Sequence, residues 1–197
     1  MQWTVETLAV VDDEIAALPQ GLRARMLRLL ATVESVGLDR IHEPHAKHLE
    51  GKLWELRVSA AEGIARGIYV TVTGRRIVVL HVFEKKTRDV APAGVEDCKR
   101  PDERGAVMST VAELKARFMQ EPGFAEAWAE ADAEYSVIEA MIRARAEAGL
   151  TQEALAERMG TTQSAVARLE GGRVSPTVET LRKYAKAVGK RLKVEMV

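Results

Sequence analysis

Four basic residues lie on or directly after three successive strand-like segments in the first half of the chain. They are Arg57, Arg66 and the pair Lys85-Lys86, and a meander of the three strands would bring them to one face of a sheet. Arginine binds phosphate through two N–H groups and keeps its charge at any physiological pH. A cationic sheet face without an acidic metal cluster therefore indicates RNA, rather than a small neutral substrate, as the ligand.

RNA carries its own nucleophile, the 2′-hydroxyl group. A protein can therefore cleave RNA by orienting that group, accepting its proton and stabilising charge on the phosphorane. Arginine is a poor proton acceptor, so another residue must be the base, and the candidates for proton transfer are Lys47, His48 and His81. A histidine on a strand, such as His81, is more often structural, and a lysine acts as a base only when its pKa is lowered. The base thus stays open among these three residues.

A second group of polar residues lies between residues 150 and 173. Thr151 and Thr162 each precede a short amphipathic segment as helix caps, and Gly160 lies at a turn that requires a positive φ. Two short helices joined by such a turn place the second helix in the major groove of DNA, where the amide of Gln163 can pair with adenine. We expect Gln152 to hold a phosphate, and the full set of candidate DNA-binding residues is Gln152, Thr162, Gln163, Ser164, Arg168 and Arg173.

Charge is unevenly distributed, although the formal net charge is zero. Residues 23–88 carry 13 basic and 7 acidic side chains, residues 108–140 carry 2 and 7, and residues 141–197 carry 11 and 6. An acidic segment between two basic regions can cover one of them. The alternative interpretation is that the acidic segment is a solvated helix face.

The cysteine content and hydropathy exclude several classes of protein. A single cysteine, Cys98, supports neither a disulfide framework nor a cysteine metal site. No apolar run is long enough to span a membrane, and no signal peptide opens the chain. We therefore expect a cytoplasmic protein with no metal, no cofactor and no membrane partner.

The periodicity of apolar residues predicts two domains of different class. Strands are predicted at residues 3–5, 53–58, 64–72 and 77–83, and helices at 10–18 and 22–36, which indicates an α+β domain with antiparallel strands and both helices on one face. Further helices are predicted at 111–118 and 124–148, followed by an all-α helix-turn-helix domain. We expect Ser175-Pro176 to begin its next helix and residues 192–196 to form a short final strand.

These elements divide the chain into four parts. The predicted parts are an α+β domain at 1–90, a linker or degraded terminal helix at 91–107, an acidic helical arm at 108–134, and the helix-turn-helix domain with its final strand at 135–197.

The segment from 151 to 172 resembles the phage-repressor, Cro-type helix-turn-helix family. The resemblance rests on Thr151, Gln152, Leu155, Ala156, Gly160, Thr162, Gln163, Val166, Leu169, Glu170 and Gly172. In that family an arginine of the first helix pairs with the glutamate that ends the recognition helix. The resemblance therefore implies a structural ion pair between Arg145 and Glu170.

The first 90 residues resemble the bacterial RelE/HigB-like toxins, particularly their phage-derived branch. The resemblance rests on residues 49–57, on Arg66 and on residues 81–87. It implies metal-independent cleavage of mRNA in the ribosomal A site, with Arg57, Arg66 and Lys86 at the scissile phosphate and Lys85 nearby. The chain departs from these toxins after residue 87, where Pro92 and further breakers replace a regular terminal helix.

From Met108 onward the chain resembles a HigA-like antitoxin, so the whole sequence resembles a toxin followed by its antitoxin. The resemblance implies three partners: operator DNA, mRNA on the ribosome, and a toxin–antitoxin contact within or between chains. We also expect a homodimer, because single helix-turn-helix units bind weakly and operators are usually two-fold. We expect the acidic segment 113–139 to cover the basic toxin half and to block its entry into the ribosome. The alternative is a DNA-binding regulator whose toxin-like domain is inactive.

Overall fold

The computed structural model describes residues 3–85 and 108–195. An α+β domain comes first and a helical domain follows, as predicted. The elements are β1 Thr4–Leu8, α1 Ala9–Ala16, α2 Gln20–Val36, a 3₁₀ turn Leu38–Arg40, β2 Ala46–Glu50, β3 Leu53–Ala60, β4 Gly63–Val72, β5 Arg76–Glu84, β6 Met108–Thr110, α3 Val111–Phe118, α4 Phe124–Glu147, α5 Gln152–Met159, α6 Gln163–Glu170 and α7 Val178–Ala187.

The strands form one six-stranded sheet in the order β2-β3-β4-β5-β1-β6. The meander from β2 to β5 is antiparallel, but β1 pairs with β5 in parallel, so the prediction of antiparallel strands was wrong for the β1–β5 pair. The reason is that α1 and α2 carry the chain from β1 to the far edge of the sheet, and the four-strand meander then returns in the direction of β1.

Two short strands were not predicted from the sequence. β2 has a mostly exposed, polar pattern that shows no alternation of apolar residues. β6 is only three residues long and is held to β1 by antiparallel pairing. β2 forms by pairing with the neighbouring strand β3, whereas β6 depends on a partner about a hundred residues earlier in the chain, which local sequence patterns do not report.

The segment after β6 is an integral part of the first domain rather than a separate arm. Its apolar residues share one hydrophobic core with β1–β5, α1 and α2; the largest of them are Leu114, Phe118, Phe124, Trp128, Tyr135 and Ile138. The predicted boundary between residues 134 and 135 lies inside the continuous helix α4.

The acidic side chains of α4 pair with the basic side chains of α2. Arg25 Nη1 lies 2.5 Å from Glu134 Oε2. Arg28 Nε lies 2.6 Å from Asp132 Oδ1, and Arg28 Nη2 lies 3.0 Å from Glu139 Oε2. The side chain of Arg28 is only 9% exposed, so its charge depends on these carboxylates. The acidic segment therefore packs on the basic half within one chain, and the interpretation of a solvated face is wrong for these residues.

The helix-turn-helix domain has a smaller core of its own. It is built from residues of α4 to α7 and the turn after α7, namely Met141, Leu155, Ala156, Val166, Leu169, Tyr184 and Val188. Because Met141 belongs to this core and Ile142 to the first, α4 joins the two domains directly.

Two predictions about the end of the chain were wrong in the described residues. Helix α7 begins after Thr177, whose hydroxyl accepts from Thr180 N at 3.1 Å, so Thr177 rather than Ser175 is the cap. Residues 192–195 form no strand, and Met196 lies outside the described residues, as do Cys98 and the predicted linker at 91–107. Among the helices that the structure describes, none combines the length and apolar character needed to cross a membrane.

We expect Phe124→Ala to destabilise the whole chain by about 3–5 kcal/mol, because it empties a fully buried site in the shared core. Urea unfolding followed by circular dichroism measures this change. Val137→Ala, at a position 37% exposed on the same helix, is the control and should change the free energy of unfolding by less than about 1 kcal/mol. Equal effects of the two substitutions would contradict the shared core.

Candidate nucleic-acid interfaces

The predicted cationic residues meet on one face of the sheet. Arg57 on β3 lies directly opposite Arg66 on β4. Lys85 follows β5, and its backbone N–H donates to Ile64 O at 2.8 Å, which places Lys85 in the next row of the same face. The three cations thus come together as expected. Lys86 lies outside the described residues.

Glu55 joins the two arginines and was missed by sequence reasoning. Arg57 Nε donates to Glu55 Oε1, and Arg66 Nη1 donates to Glu55 Oε2 at 3.3 Å. The Glu55 side chain is only 4% exposed. This buried carboxylate orients both guanidinium groups. The sequence feature that could have identified Glu55 is its position two residues before Arg57, which places both side chains on one face of a strand.

The cationic face opens into a cleft of about 420 Å³ that both domains line. The first domain contributes Arg57, Arg66, Lys85 and His45 to the lining of the cleft. Helix α4 contributes Glu134 and Tyr135, and the loop after α6 contributes Gly171, Gly172 and Arg173. Arg173, a predicted DNA-binding residue, therefore lies beside the cationic face rather than with the exposed start of α6.

None of the predicted proton-transfer residues is among the described residues that line the cleft. His48 Nε2 lies 3.0 Å from Gly51 O in the edge hairpin. His81 Nδ1 is hydrogen-bonded to Glu14 Oε1 at 2.7 Å. Lys47 is exposed on β2. The strand register nevertheless places Lys47 and His81 in the same cross-strand row as Glu55, on the sheet face that carries Arg57 and Arg66.

The histidine that does line the cleft is His45. It is 6% exposed, and its ring lies 5.6 Å from the ring of Tyr135. Its Nδ1 lies 3.5 Å from Arg57 O, while its Nε2 is buried without a hydrogen-bond partner among residues 3–85 and 108–195. Sequence reasoning missed His45 because it lies in a loop, where no periodicity indicates the direction of a side chain.

The helix-turn-helix has the predicted local geometry. Thr151 Oγ1 accepts from Ala154 N at 3.1 Å and Thr162 Oγ1 accepts from Ala165 N at 3.2 Å, so both caps are present. Gly160 has a φ of 65°, which glycine adopts without strain. The exposed residues of α6 and its cap are the predicted Thr162, Gln163, Ser164 and Arg168.

A buried polar network holds the end of α6. Arg145 Nε donates to Glu170 Oε1 at 2.7 Å and Arg145 Nη2 donates to Glu170 Oε2 at 3.0 Å, which is the expected ion pair. Tyr184 Oη donates to the same carboxylate at 2.6 Å. Burial, followed by the adjacent Glu170 charge, raises the pKa of Tyr184, which therefore stays protonated as a donor.

Gln152 belongs to this network and is 7% exposed. Its Nε2 donates to Glu170 Oε2 at 2.9 Å, and its Oε1 accepts from Gln163 Nε2 at 2.9 Å. In this structure Gln152 therefore orients the side chain of Gln163 instead of presenting its own amide to solvent.

The first domain contacts the helix-turn-helix at the end of the recognition helix. A Cβ atom at Gly171 would lie 2.3 Å from Pro44 Cγ, so the absence of a side chain there permits the contact. Arg145 Nη2 also donates to Arg40 O at 3.2 Å. The loop 40–45 therefore packs against the C-terminal end of α6.

Comparisons with known proteins separate the same two regions. Residues 13–100 match a family described as phage derived protein Gp49-like, and residues 141–194 match a helix-turn-helix family. An uncharacterized HTH-type transcriptional regulator of Methanothermobacter thermautotrophicus is 48% identical over 46 residues, which are 23% of this chain and 67% of that protein. The expected order, a phage-derived domain followed by a helix-turn-helix, is confirmed.

A solved structure also aligns with part of the chain. It is a doubly substituted mutant of the E. coli toxin RelE in the free state, with a TM-score of 0.36 and 15% sequence identity. The alignment covers 44% of this chain and 86% of RelE.

We expect Arg145→Ala to destabilise the helix-turn-helix domain by about 3–5 kcal/mol, because it leaves the Glu170 carboxylate buried without its partner. The control is Arg143→Ala, two residues away, whose side chain is 48% exposed. Arg143→Ala should lower the free energy of unfolding by less than about 1 kcal/mol. Thermal unfolding of both variants checks the difference, and a mild effect at Arg145 would contradict a structural role for the pair.

Proposed function

We propose that this chain, a member of the helix-turn-helix transcriptional regulators that carries a phage-derived Gp49-like domain, is a fused toxin and antitoxin. The first domain is a metal-independent endoribonuclease for mRNA on the ribosome. The second domain binds operator DNA, represses transcription of its own gene and holds the nuclease inactive. The observation that carries this proposal is the cleft in which Arg57, Arg66 and Lys85 face the loop after the recognition helix.

The cleft has the chemistry of a phosphate site. Arg57 and Arg66 are fixed side by side by Glu55, and Lys85 adds a third positive charge. The Arg66 side chain is 20% exposed, so part of its guanidinium group is open to a phosphate oxygen. Fixed cations of this kind stabilise the charge that develops on a phosphorane when the 2′-hydroxyl of RNA attacks.

Inhibition is supported by the position of the second domain rather than by the acidic ion pairs. Those pairs lie between α2 and α4, and of their carboxylates only Glu134 lines the described part of the cleft. The loop of Gly171–Arg173 forms the opposite wall. A strand of mRNA on the ribosome must approach Arg57 and Arg66 from outside the molecule, where the helix-turn-helix domain now lies.

DNA binding is supported by the exposed start of α6. Gln163 is held by Gln152 with its amide at the helix N-terminus, and Thr162, Ser164 and Arg168 are exposed beside it. A recognition helix inserted into the major groove presents such residues to base edges and phosphates. A homodimer would place two copies on a two-fold operator, which is the usual way in which weak single units gain affinity.

A second candidate function is that of a regulator with an inactive toxin-like domain. One observation favours it: β6, α3 and much of α4 complete the core of the first domain, so the antitoxin part is not simply removable. Under this alternative the basic cleft is a structural remnant and the DNA-binding domain is the functional part.

Expression of residues 1–147 in bacteria distinguishes the two functions, because this fragment keeps the first core intact and removes α5 to α7. We expect growth arrest from the fragment and none from the full chain. Arg66→Ala in the fragment should abolish the arrest. Arg76→Ala is the matched control, because that arginine pairs with Glu6 and its side chain is 47% exposed outside the cleft. A soluble, folded fragment that leaves growth unchanged would establish the regulator alternative.

We also expect Gln163→Ala to weaken binding to the DNA upstream of its own gene by about 5- to 150-fold, the equivalent of roughly 1–3 kcal/mol. Binding to unrelated DNA should change little, since that binding depends on phosphate contacts. Fluorescence anisotropy at one salt concentration measures both affinities. Equal loss on both DNA sequences would show that Gln163 reads no base.

A further inference from the structure

We propose that His45 is the general base of the ribonuclease and that docking of the helix-turn-helix domain covers its reactive nitrogen. This inference rests on the proposed function. It places a proton acceptor within the cleft, whose described lining includes none of Lys47, His48 and His81.

His45 is tied to the phosphate site through the backbone of Arg57. Arg57 N donates to His45 O at 2.9 Å, and His45 Nδ1 lies 3.5 Å from Arg57 O. Once the Glu170 carbonyl has moved away, an Nδ1–H group facing Arg57 O would leave the lone pair on Nε2, which is the tautomer that a general base requires. His45 therefore lies opposite Arg57, whose guanidinium group is part of the proposed phosphate site.

The surroundings of His45 keep it neutral and ready to accept a proton. Burial lowers the pKa of His45 because it penalises the imidazolium, and the Arg173 charge acts in the same direction. The backbone carbonyl groups of Arg57 and Glu170 and the Glu170 carboxylate oppose this shift. The ring of Tyr135 covers another side without adding a charge at neutral pH, since burial raises the pKa of Tyr135.

The helix-turn-helix domain contributes the cover over Nε2. Gly171, directly after Glu170, packs against Pro44, the neighbour of His45. His45 Nε2 is buried, and the backbone carbonyl of Glu170, the residue before Gly171, acts on the ring from the helix-turn-helix side. Movement of the Glu170–Gly171 backbone away from Pro44 would open Nε2 toward Arg57, Arg66 and Lys85.

The reaction that this arrangement supports is balanced. The 2′-hydroxyl gives its proton to His45 Nε2 while its oxygen forms a bond to phosphorus. The bond from phosphorus to the 5′-oxygen breaks, and that oxygen takes a proton from the Lys85 ammonium group. The products are a 2′,3′-cyclic phosphate and a 5′-hydroxyl end, and the two side chains then exchange their protons with water.

The test uses the full-length chain with Gly171→Leu, which forces the end of α6 away from Pro44. Cleavage of mRNA on purified ribosomes should rise at least about tenfold over the unchanged chain. In that background His45→Gln should lower the rate about 100-fold or more, the usual contribution of a general base. His48→Gln, at a histidine outside the cleft, is the matched control and should retain the rate.

Two further measurements separate catalysis from structure. The rate of the Gly171→Leu chain should rise with pH through the pKa of His45 and then level off, and His45→Gln should remove that rise. Diethyl pyrocarbonate should modify His45 slowly in the unchanged chain and rapidly after Gly171→Leu, as peptide mass spectrometry reports. Gly171→Ala, a smaller change, gives the same comparison if Gly171→Leu prevents folding.

The possible failures are distinguishable. A Gly171→Leu chain that cleaves RNA, needs Arg66 and is insensitive to His45→Gln overturns the role of His45 and leaves the proposed function intact. Rapid modification of His45 in the unchanged chain would show that the helix-turn-helix domain does not cover His45 Nε2. A folded Gly171→Leu chain with an accessible His45 and no cleavage on ribosomes overturns the proposed nuclease and, with it, this inference.

Discussion

The packing of α4 against α2 is the interaction on which the rest of the structure depends. Arg28 is nearly buried between the two helices, so its two carboxylate partners on α4 must be present if the charge is to be tolerated. Aromatic side chains of α3 and α4 fill the same core. Because α4 continues without a break into the helix-turn-helix, this contact also determines where the DNA-binding domain lies.

One consequence is that the recognition helix and the cationic cleft share a boundary. The carboxylate of Glu170 ends α6 and is held by Arg145, which also donates to Arg40 O in the first domain. The next residue, Gly171, contacts Pro44. The start of α6 faces solvent while its end closes the cleft, so a single short helix supports both the proposed DNA binding and the proposed inhibition.

Much of the fold could be predicted because it depends on neighbours in the sequence. Helix caps such as Thr151 and Thr162 bond to residues three positions away, and Gly160 meets a local requirement for positive φ. Apolar periodicity located α2 and the three long strands for the same reason, and a helix-favouring composition located α4. The meander order then placed Arg57 opposite Arg66 and brought Lys85 to the same face.

The sequence by itself determined the elements, the order of the two domains and the chemical character of each candidate surface. Only the tertiary structure decided the parallel pairing of β1, the burial of Gln152, the partnership of Glu55 with two arginines, and the place of His45 in the cleft. The physical reason is distance along the chain. Caps and periodicity are properties of adjacent residues, whereas strand pairing, charge burial and domain docking join residues that are far apart and depend on the whole packed core.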